Sequence, residues 1–280
     1  MPELPEVETV RRGLQKLVLG QKIARVEVLY PKMIVGDADD FKAKLTEQTL
    51  EKIERRGKYL LFRFTNGLTV VSHLRMEGKF YVKEATDPVD KHTHVIFDLA
   101  DGRQLRYNDV RKFGRMQLVQ TGSEEKLPGL AKLGPEPVAE TFKVADFYQK
   151  LQKKKKNIKT ALLDQTLVTG LGNIYVDEVL WQSKIHPETS CQKLTLDQAT
   201  ILHDNIITEL AKAIKAGGTT IRSYTDAFQK TGAFQFELDV YGRTDEPCKR
   251  CGTKIQKIVV GQRGTHFCPH CQQVVKCHIF

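Results

Sequence analysis

Four cysteines near the end of the chain, Cys248, Cys251, Cys268 and Cys271, stand in a C-x2-C-x16-C-x2-C pattern. Paired thiolates at this spacing can meet around one Zn2+ in a closed, tetrahedral, structural site. No other feature restricts the fold as much. A module this small has little interior of its own, so metal binding, worth roughly 10–16 kcal/mol, is expected to supply its folding energy. Ile255–Val260 and Thr265–Phe267 read as its two strands, with Gly261-Gln262-Arg263-Gly264 lifting Arg263 onto the hairpin tip. The competing reading is a pair of disulfides. Against it, the amino terminus MPELPEVET carries acids where a signal peptide needs a basic and then an apolar run. A cytoplasmic protein with reduced cysteines is expected, leaving Cys191 and Cys277 as free thiols.

Charge points to the partner. Lys and Arg number 44 against 34 acids, a net charge of +10, which suits a polyanion, either nucleic acid or an anionic membrane surface. Residues 243–280 hold seven Lys/Arg and two acids, favouring phosphate. No stretch approaches the roughly 18 apolar residues of a spanning helix.

Along the 280 residues the hydrophobic period changes twice. Val7, Val10, Leu14 and Leu17 recur at helical steps within residues 3–19, and Gly20 is a natural stop. From about Lys22 to Gln120 the pattern is β-like. Lys22–Tyr30 and Leu50–Arg55 read as strands, and tight turns at Asn66-Gly67 and Asp101-Gly102 join Lys58–Phe64 to Leu68–Leu74 and Val95–Leu99 to Gln104–Tyr107. An antiparallel meander of this length folds into a sandwich or a barrel. After a proline-rich linker at 133–138, helices are expected at Val144–Lys154, Ile158–Gln165, Ile174–Lys184 and Leu196–Ala216, the last opened by a Thr195-x-x-Gln198 capping box.

Three clusters carry possible chemistry. Once Met1 is removed, Pro2 offers a secondary amine able to attack an electrophilic sugar carbon, with Glu3 and Glu6 beside it as acids or bases. The same residues suit any first helical turn. Lys153–Lys156, with Lys150 and Lys159, form a basic run that is either phosphate-binding or a solvated face. Gly170-Leu171-Gly172-Asn173 allows close backbone approach, and Asn173 can cap the following helix at an anion-friendly terminus.

The segment Pro2-Glu3-Leu4-Pro5-Glu6-Val7-Glu8-Thr9 resembles the amino-terminal signature of formamidopyrimidine-DNA glycosylases. So do Arg56-Gly57-Lys58-Tyr59, Ser72-His73-Leu74-Arg75-Met76-Glu77-Gly78, Asp109-Val110-Arg111-Lys112-Phe113-Gly114, Gly170-Leu171-Gly172-Asn173-Ile174-Tyr175 and Gly264-Thr265-His266-Phe267-Cys268-Pro269, in the family's order. The resemblance implies an α+β multidomain fold. An amino-terminal antiparallel β-sandwich with its leading helix would occupy 1–133, a helical helix-two-turn-helix domain 139–235, and a four-cysteine zinc ribbon 236–280. It implies one structural Zn2+, no organic cofactor, damaged double-stranded DNA as partner, no membrane, and a monomer.

The implied activity is removal of oxidised purines, 8-oxoguanine and formamidopyrimidines, followed by strand cleavage. Pro2 would be the nucleophile at C1′, Glu3 the proton-transfer partner, Lys58 the proton donor of β-elimination, and Arg263 the residue of δ-elimination. His92, Arg111, Lys154 and Asn173 would contact DNA. Met76, Arg111 and Phe113 would wedge into the gap left by a flipped nucleotide, whose unstacking costs a few kcal/mol. The loop at 217–237 resembles a lid over the flipped base. Two readings compete: an endonuclease VIII-like enzyme for oxidised pyrimidines, and a non-catalytic zinc-ribbon DNA-binding protein. Thr160 stands where many relatives have proline, and the tail Val274–Phe280 runs past the usual end.

Overall fold

The protein, seen in a computed structural model, is described over residues 2–219 and 233–273. It forms two compact units, Met1–Ala131 with Ala216–Gln235, and Lys132–Lys215 with Phe236–Phe280.

The first unit opens with helix α1 (Leu4–Val18), which buries Val7, Val10, Leu14 and Val18 along one face. Strands β1 (Ile23–Val28) and β2 (Ile34–Val35), helix α2 (Ala38–Leu45), and strands β3 (Leu50–Arg56), β4 (Tyr59–Phe64), β5 (Leu68–His73), β6 (Lys79–Glu84), β7 (Thr93–Leu99), β8 (Arg103–Asn108) and β9 (Arg115–Gln120) follow. They form two sheets, in the orders β1-β7-β8-β6 and β2-β9-β5-β4-β3. Pairing is antiparallel save for the short parallel match of β2 with β9. Strand alternation turns Leu60, Phe62, Phe80, Phe97, Leu105, Tyr107 and Met116 into one core, each large side chain contributing roughly 2–3 kcal/mol by burial. This is the sandwich, not the barrel. Both expected tight turns form: Gly67 and Gly102 sit at φ +72° and +90°, conformations that favour glycine.

Helix α2 lies within the stretch read as β-like. Asp37 caps it, accepting the Asp40 N–H at 2.7 Å, and Phe41 and Leu45 are its buried residues. Two apolar positions one turn apart are too short a stripe to stand out from a β pattern.

The second unit contains α3 (Val144–Gln152), α4 (Ile158–Leu163), α5 (Asn173–Gln182) and α6 (Leu196–Lys215), then a ribbon of β10 (Gln256–Val260) and β11 (Arg263–Phe267). The capping box of α6 closes both ways, Thr195 N–H to Gln198 Oε1 at 3.1 Å and Gln198 N–H to Thr195 Oγ1 at 3.2 Å. Helix α4 stops before Gln165, whose φ is +65°. Gln165 then organises the turn, its amide donating to Leu171 O at 2.6 Å and accepting the Gly170 N–H at 2.9 Å. In the ribbon Gly261 and Gln262, at φ +55° and +63°, make a two-residue hairpin turn. Arg263 is therefore the first residue of β11, opposite Val260, rather than the tip itself. No helix of the described residues is long and apolar enough to cross a membrane.

Candidate active site and nucleic-acid interface

Pro2 is buried at the entrance to α1, and Glu3 and Glu6 are 2 % and 3 % exposed. The two acids differ in what holds them. Glu6 Oε2 accepts the Glu3 N–H at 2.8 Å as part of a capping box. Its Oε1 accepts the Thr219 N–H at 2.8 Å and the Thr219 hydroxyl at 3.2 Å. Glu6 thus ties the chain's first residues to residue 219, and its carboxylate serves backbone positioning rather than the acid–base role the sequence allows for it. A Cβ on Gly218, at φ +76°, would lie 2.6 Å from Glu6 Oε1, so this approach requires glycine.

Lys58 follows Gly57 (φ +56°) in the two-residue turn between β3 and β4. Lys58 is only 6 % exposed. His73 stands near it. Burial, then the charges of Arg75 and Lys58, hold the imidazole pKa down at about 3, so the ring is neutral. Its Nδ1 accepts the Arg75 N–H at 2.9 Å and its ring packs edge-on to Tyr59 at 4.4 Å.

The expected wedge residues sit on two loops that rest on a single side chain, Tyr107. Gly78, which closes the Leu74–Gly78 turn carrying Met76 by donating to Leu74 O at 2.9 Å, could not take a Cβ, since it would lie 2.2 Å from Tyr107 Oη. At Gly114 the corresponding distance is 1.7 Å. Between them Asp109, fully buried, accepts the Arg111 N–H at 3.0 Å and the Gly114 N–H at 2.7 Å. Its carbonyl is bound by His94 Nε2 at 2.8 Å. His94 is accordingly a buried loop anchor, whereas His92 stays half-exposed. With the loop fixed from inside, Arg111, Lys112 and Phe113 are left outside; Phe113 is 49 % exposed. The Arg111 guanidinium lies 4.8 Å from the Phe113 ring centre.

In the second unit Asn173 and Arg263 come together through Gly264. The Asn173 amide donates to Gly264 O at 2.9 Å, so it braces the ribbon next to Arg263 and does not cap α5, whose N-cap is Gly172. Lys159 adds a bond to the same carbonyl at 3.3 Å and an ion pair to Asp177 at 2.6 Å, with both side chains fully buried. Asp177 also accepts the His266 N–H at 2.8 Å. Lys159 therefore leaves the surface basic run to which its sequence position assigns it. Lys154 is partly exposed and spans Asp164 at 2.9 Å and Thr166 at 2.8 Å.

The four cysteine sulfurs lie within 4.8 Å of one another. Sulfur separations of 3.5 Å for Cys251–Cys268 and Cys251–Cys271 and 3.9 Å for Cys248–Cys271 exclude S–S bonds. They match the edges, about 3.8 Å, of a tetrahedron with Zn–S near 2.3 Å. Trp181 Nε1–H points at Cys248 Sγ at 3.4 Å, and the Cys271 N–H at Cys268 Sγ at 3.4 Å, donors that suit thiolates. The residues fit one structural Zn2+.

Comparison with known proteins agrees with this arrangement. Residues 1–116 match the formamidopyrimidine-DNA glycosylase N-terminal domain, 133–225 the formamidopyrimidine-DNA glycosylase H2TH domain, and 245–274 the zinc finger found in FPG and IleRS. A formamidopyrimidine-DNA glycosylase of Ligilactobacillus salivarius is 67% identical over 98% of this chain and 99% of its own. One of Lactiplantibacillus plantarum is 59% identical over 96% and 98%. The chain belongs to the formamidopyrimidine-DNA glycosylase family. Among solved structures, Lactococcus lactis Fpg in complex with DNA containing an abasic site is 51% identical over 97% of this chain and 99% of that one, with a TM-score of 0.91.

Within this family fold, His73, Tyr107 and the Lys159–Asp177 pair are site-supporting residues that the sequence alone did not single out. His73 lies within the segment Ser72–Gly78, and Tyr107 stands two residues before Asp109. The segment 220–232 of the expected lid, the tail Val274–Phe280 and Cys277 lie outside the described residues.

Proposed function

We propose that this protein is a base-excision-repair glycosylase that removes oxidised purines from duplex DNA and cleaves the strand at the resulting site. The observation that carries the reading is the amino terminus: Pro2 buried beside Glu3, with Glu6 fixing the backbone of both flanking segments, in a chain of this family. With Met1 removed, the Pro2 amine attacks C1′ of the damaged nucleotide as the base departs, and Glu3 handles the proton. The covalent iminium makes the C2′ protons acidic, so elimination of the 3′-phosphate follows, with Lys58 as proton donor. Elimination of the 5′-phosphate, assigned to Arg263, leaves a one-nucleoside gap. An amine nucleophile links base loss to strand cleavage; a water nucleophile would stop at the abasic site.

The wedge reading rests on exposed Arg111 and Phe113 above a rigid Tyr107 support. Met76, on the companion loop, completes the set. His92, Lys154 and Asn173 contact phosphates or position the groups that do. Zinc takes no part in the reaction; it supplies the fold of the hairpin carrying Arg263. We place the protein in the cytoplasm as a monomer, organised as a sandwich over 1–133, a helical domain over 139–235 and the ribbon over 236–280.

The test compares borohydride-trapped protein–DNA adduct on duplexes carrying 8-oxoguanine opposite cytosine and thymine glycol opposite adenine. Faster trapping on 8-oxoguanine is expected. A clear preference for thymine glycol moves the protein to the pyrimidine-specific reading, and no adduct from a binding-competent preparation removes the amine mechanism.

A further inference from the structure

The outer face of β6 and β8 forms an open groove of about 470 Å3. Lys79, Tyr81 and Lys83 alternate along β6, so they share the face opposite buried Phe80. Across the ladder they meet Asn108, Arg106 and Gln104 of β8. His92 and Val110 line the same groove; the first is an expected DNA contact, and the second adjoins Arg111.

The floor gives this face its sign. Arg106 is 3 % exposed and donates to Gln104 Oε1 at 2.7 Å and to the carbonyls of Pro88, Glu84 and Asp87 at 2.9, 3.2 and 2.8 Å. All four acceptors are neutral. Among the described residues the guanidinium has no ion pair, so a buried, uncancelled positive charge lies beneath two lysines, where it favours an anion above. Asp90 is the one acid lining the groove; its carboxylate is engaged by the His92 N–H at 2.7 Å and Asn108 Nδ2 at 2.9 Å. Lys79 and Lys83 stand four residues apart, about 13 Å along an extended strand, the axial rise of about four phosphates of one DNA strand.

We propose that this groove binds the sugar–phosphate backbone of the duplex beyond the lesion, extending the contact that begins at His92 and Arg111. It is a second, sequence-independent phosphate site, separate from the chemistry. The inference rests on the reading of the protein as a DNA-binding enzyme, and commits to duplex DNA over an acidic protein because the groove continues from the loop carrying Arg111.

The test uses full-length, zinc-loaded protein and two lesion duplexes, one just covering the lesion site and one longer by about one helical turn on each side. For Lys79→Ala/Lys83→Ala, affinity for the longer duplex is expected to fall about tenfold. The slope of log K against log salt should shrink by about 2, roughly one for each phosphate no longer neutralised. Affinity for the shorter duplex and adduct yield at saturating DNA should stay at the parental level. Lys79→Arg/Lys83→Arg should retain the parental slope, a rescue that loss of packing would not give. An unchanged slope on the longer duplex overturns the proposal, as would follow if the face served an acidic protein. Equal losses on both duplexes overturn it too, because the lysines would then act at the lesion. Failure of the parent protein to form any adduct would instead strike the catalytic reading and leave the salt slopes to be judged alone.

Discussion

The amino-terminal segment and the zinc ribbon carry Pro2 and Arg263, the residues to which we assign the nucleophile and the second elimination, and they are held by opposite means. Pro2 and Glu3 enter a helix whose apolar face belongs to a two-sheet core, and Tyr107 lends the same rigidity to the loops that Gly78 and Gly114 close upon it. Arg263 stands on a two-stranded ribbon whose buried cluster is Trp181, Val240, Cys248, Ile255 and Cys268, two of those five being metal ligands. Where apolar area is plentiful, packing fixes a functional residue. Where it is scarce, a metal and a buried ion pair do so. The two regions should therefore fail under different insults.

The largest expected difference is to zinc. Chelation, or Cys268→Ser, removes a stabilisation of roughly 10–16 kcal/mol, so the ribbon melts while the sandwich keeps its own transition. Calorimetry should resolve the two, and DNA affinity should fall by at least about a hundredfold. A single unshifted transition would contradict the division. Next is Lys159→Met, which leaves Asp177 buried without its 2.6 Å partner and should cost about 3–5 kcal/mol, read by denaturant melting. Because Lys159 and Asn173 brace Gly264 beside Arg263, the variant should also slow the second elimination more than the first.

The sandwich has its own weak point, in acid. Burial would raise the Glu8 pKa, but hydrogen bonds from Arg11 and Arg12 and the charge of Arg55 outweigh it, and the carboxyl is held down at about 2. For a depressed acid the stabilisation is complete above the ordinary value of 4.5 and disappears as pH falls from there toward 2. It amounts to on the order of 3 kcal/mol. Acid melts of parent and Glu8→Gln should converge at the low end of this window, and a constant gap between them would refute the assignment. Smallest is Gly114→Ala, whose Cβ would lie 1.7 Å from Tyr107 Oη. The forced shift should cost about 1–3 kcal/mol and slow base release while leaving affinity for a pre-formed abasic site nearly unchanged.

Much of this was legible in the sequence because it rests on local rules. The cysteine spacing dictates the metal site, the Thr195–Gln198 box caps α6, and Asn66-Gly67 and Asp101-Gly102 make their turns. What escaped depends on residues distant in the chain. Nothing near Tyr107 announces that Gly78 and Gly114 will both close upon it. Lys159 reads as one more lysine of a basic run until Asp177, eighteen residues away, draws it inside. Glu6 looks interchangeable with Glu3 until Thr219 claims one of its oxygens.

On this reading the nucleophile is the Pro2 nitrogen, and zinc serves only the fold of the ribbon that carries Arg263. The most direct test measures borohydride adduct per DNA-bound protein on an 8-oxoguanine duplex for protein that retains Met1, in which the Pro2 nitrogen is an amide and no longer a nucleophile. The account predicts binding within a few-fold of the parent and no adduct; adduct at the parental level would place the nucleophile elsewhere in the chain.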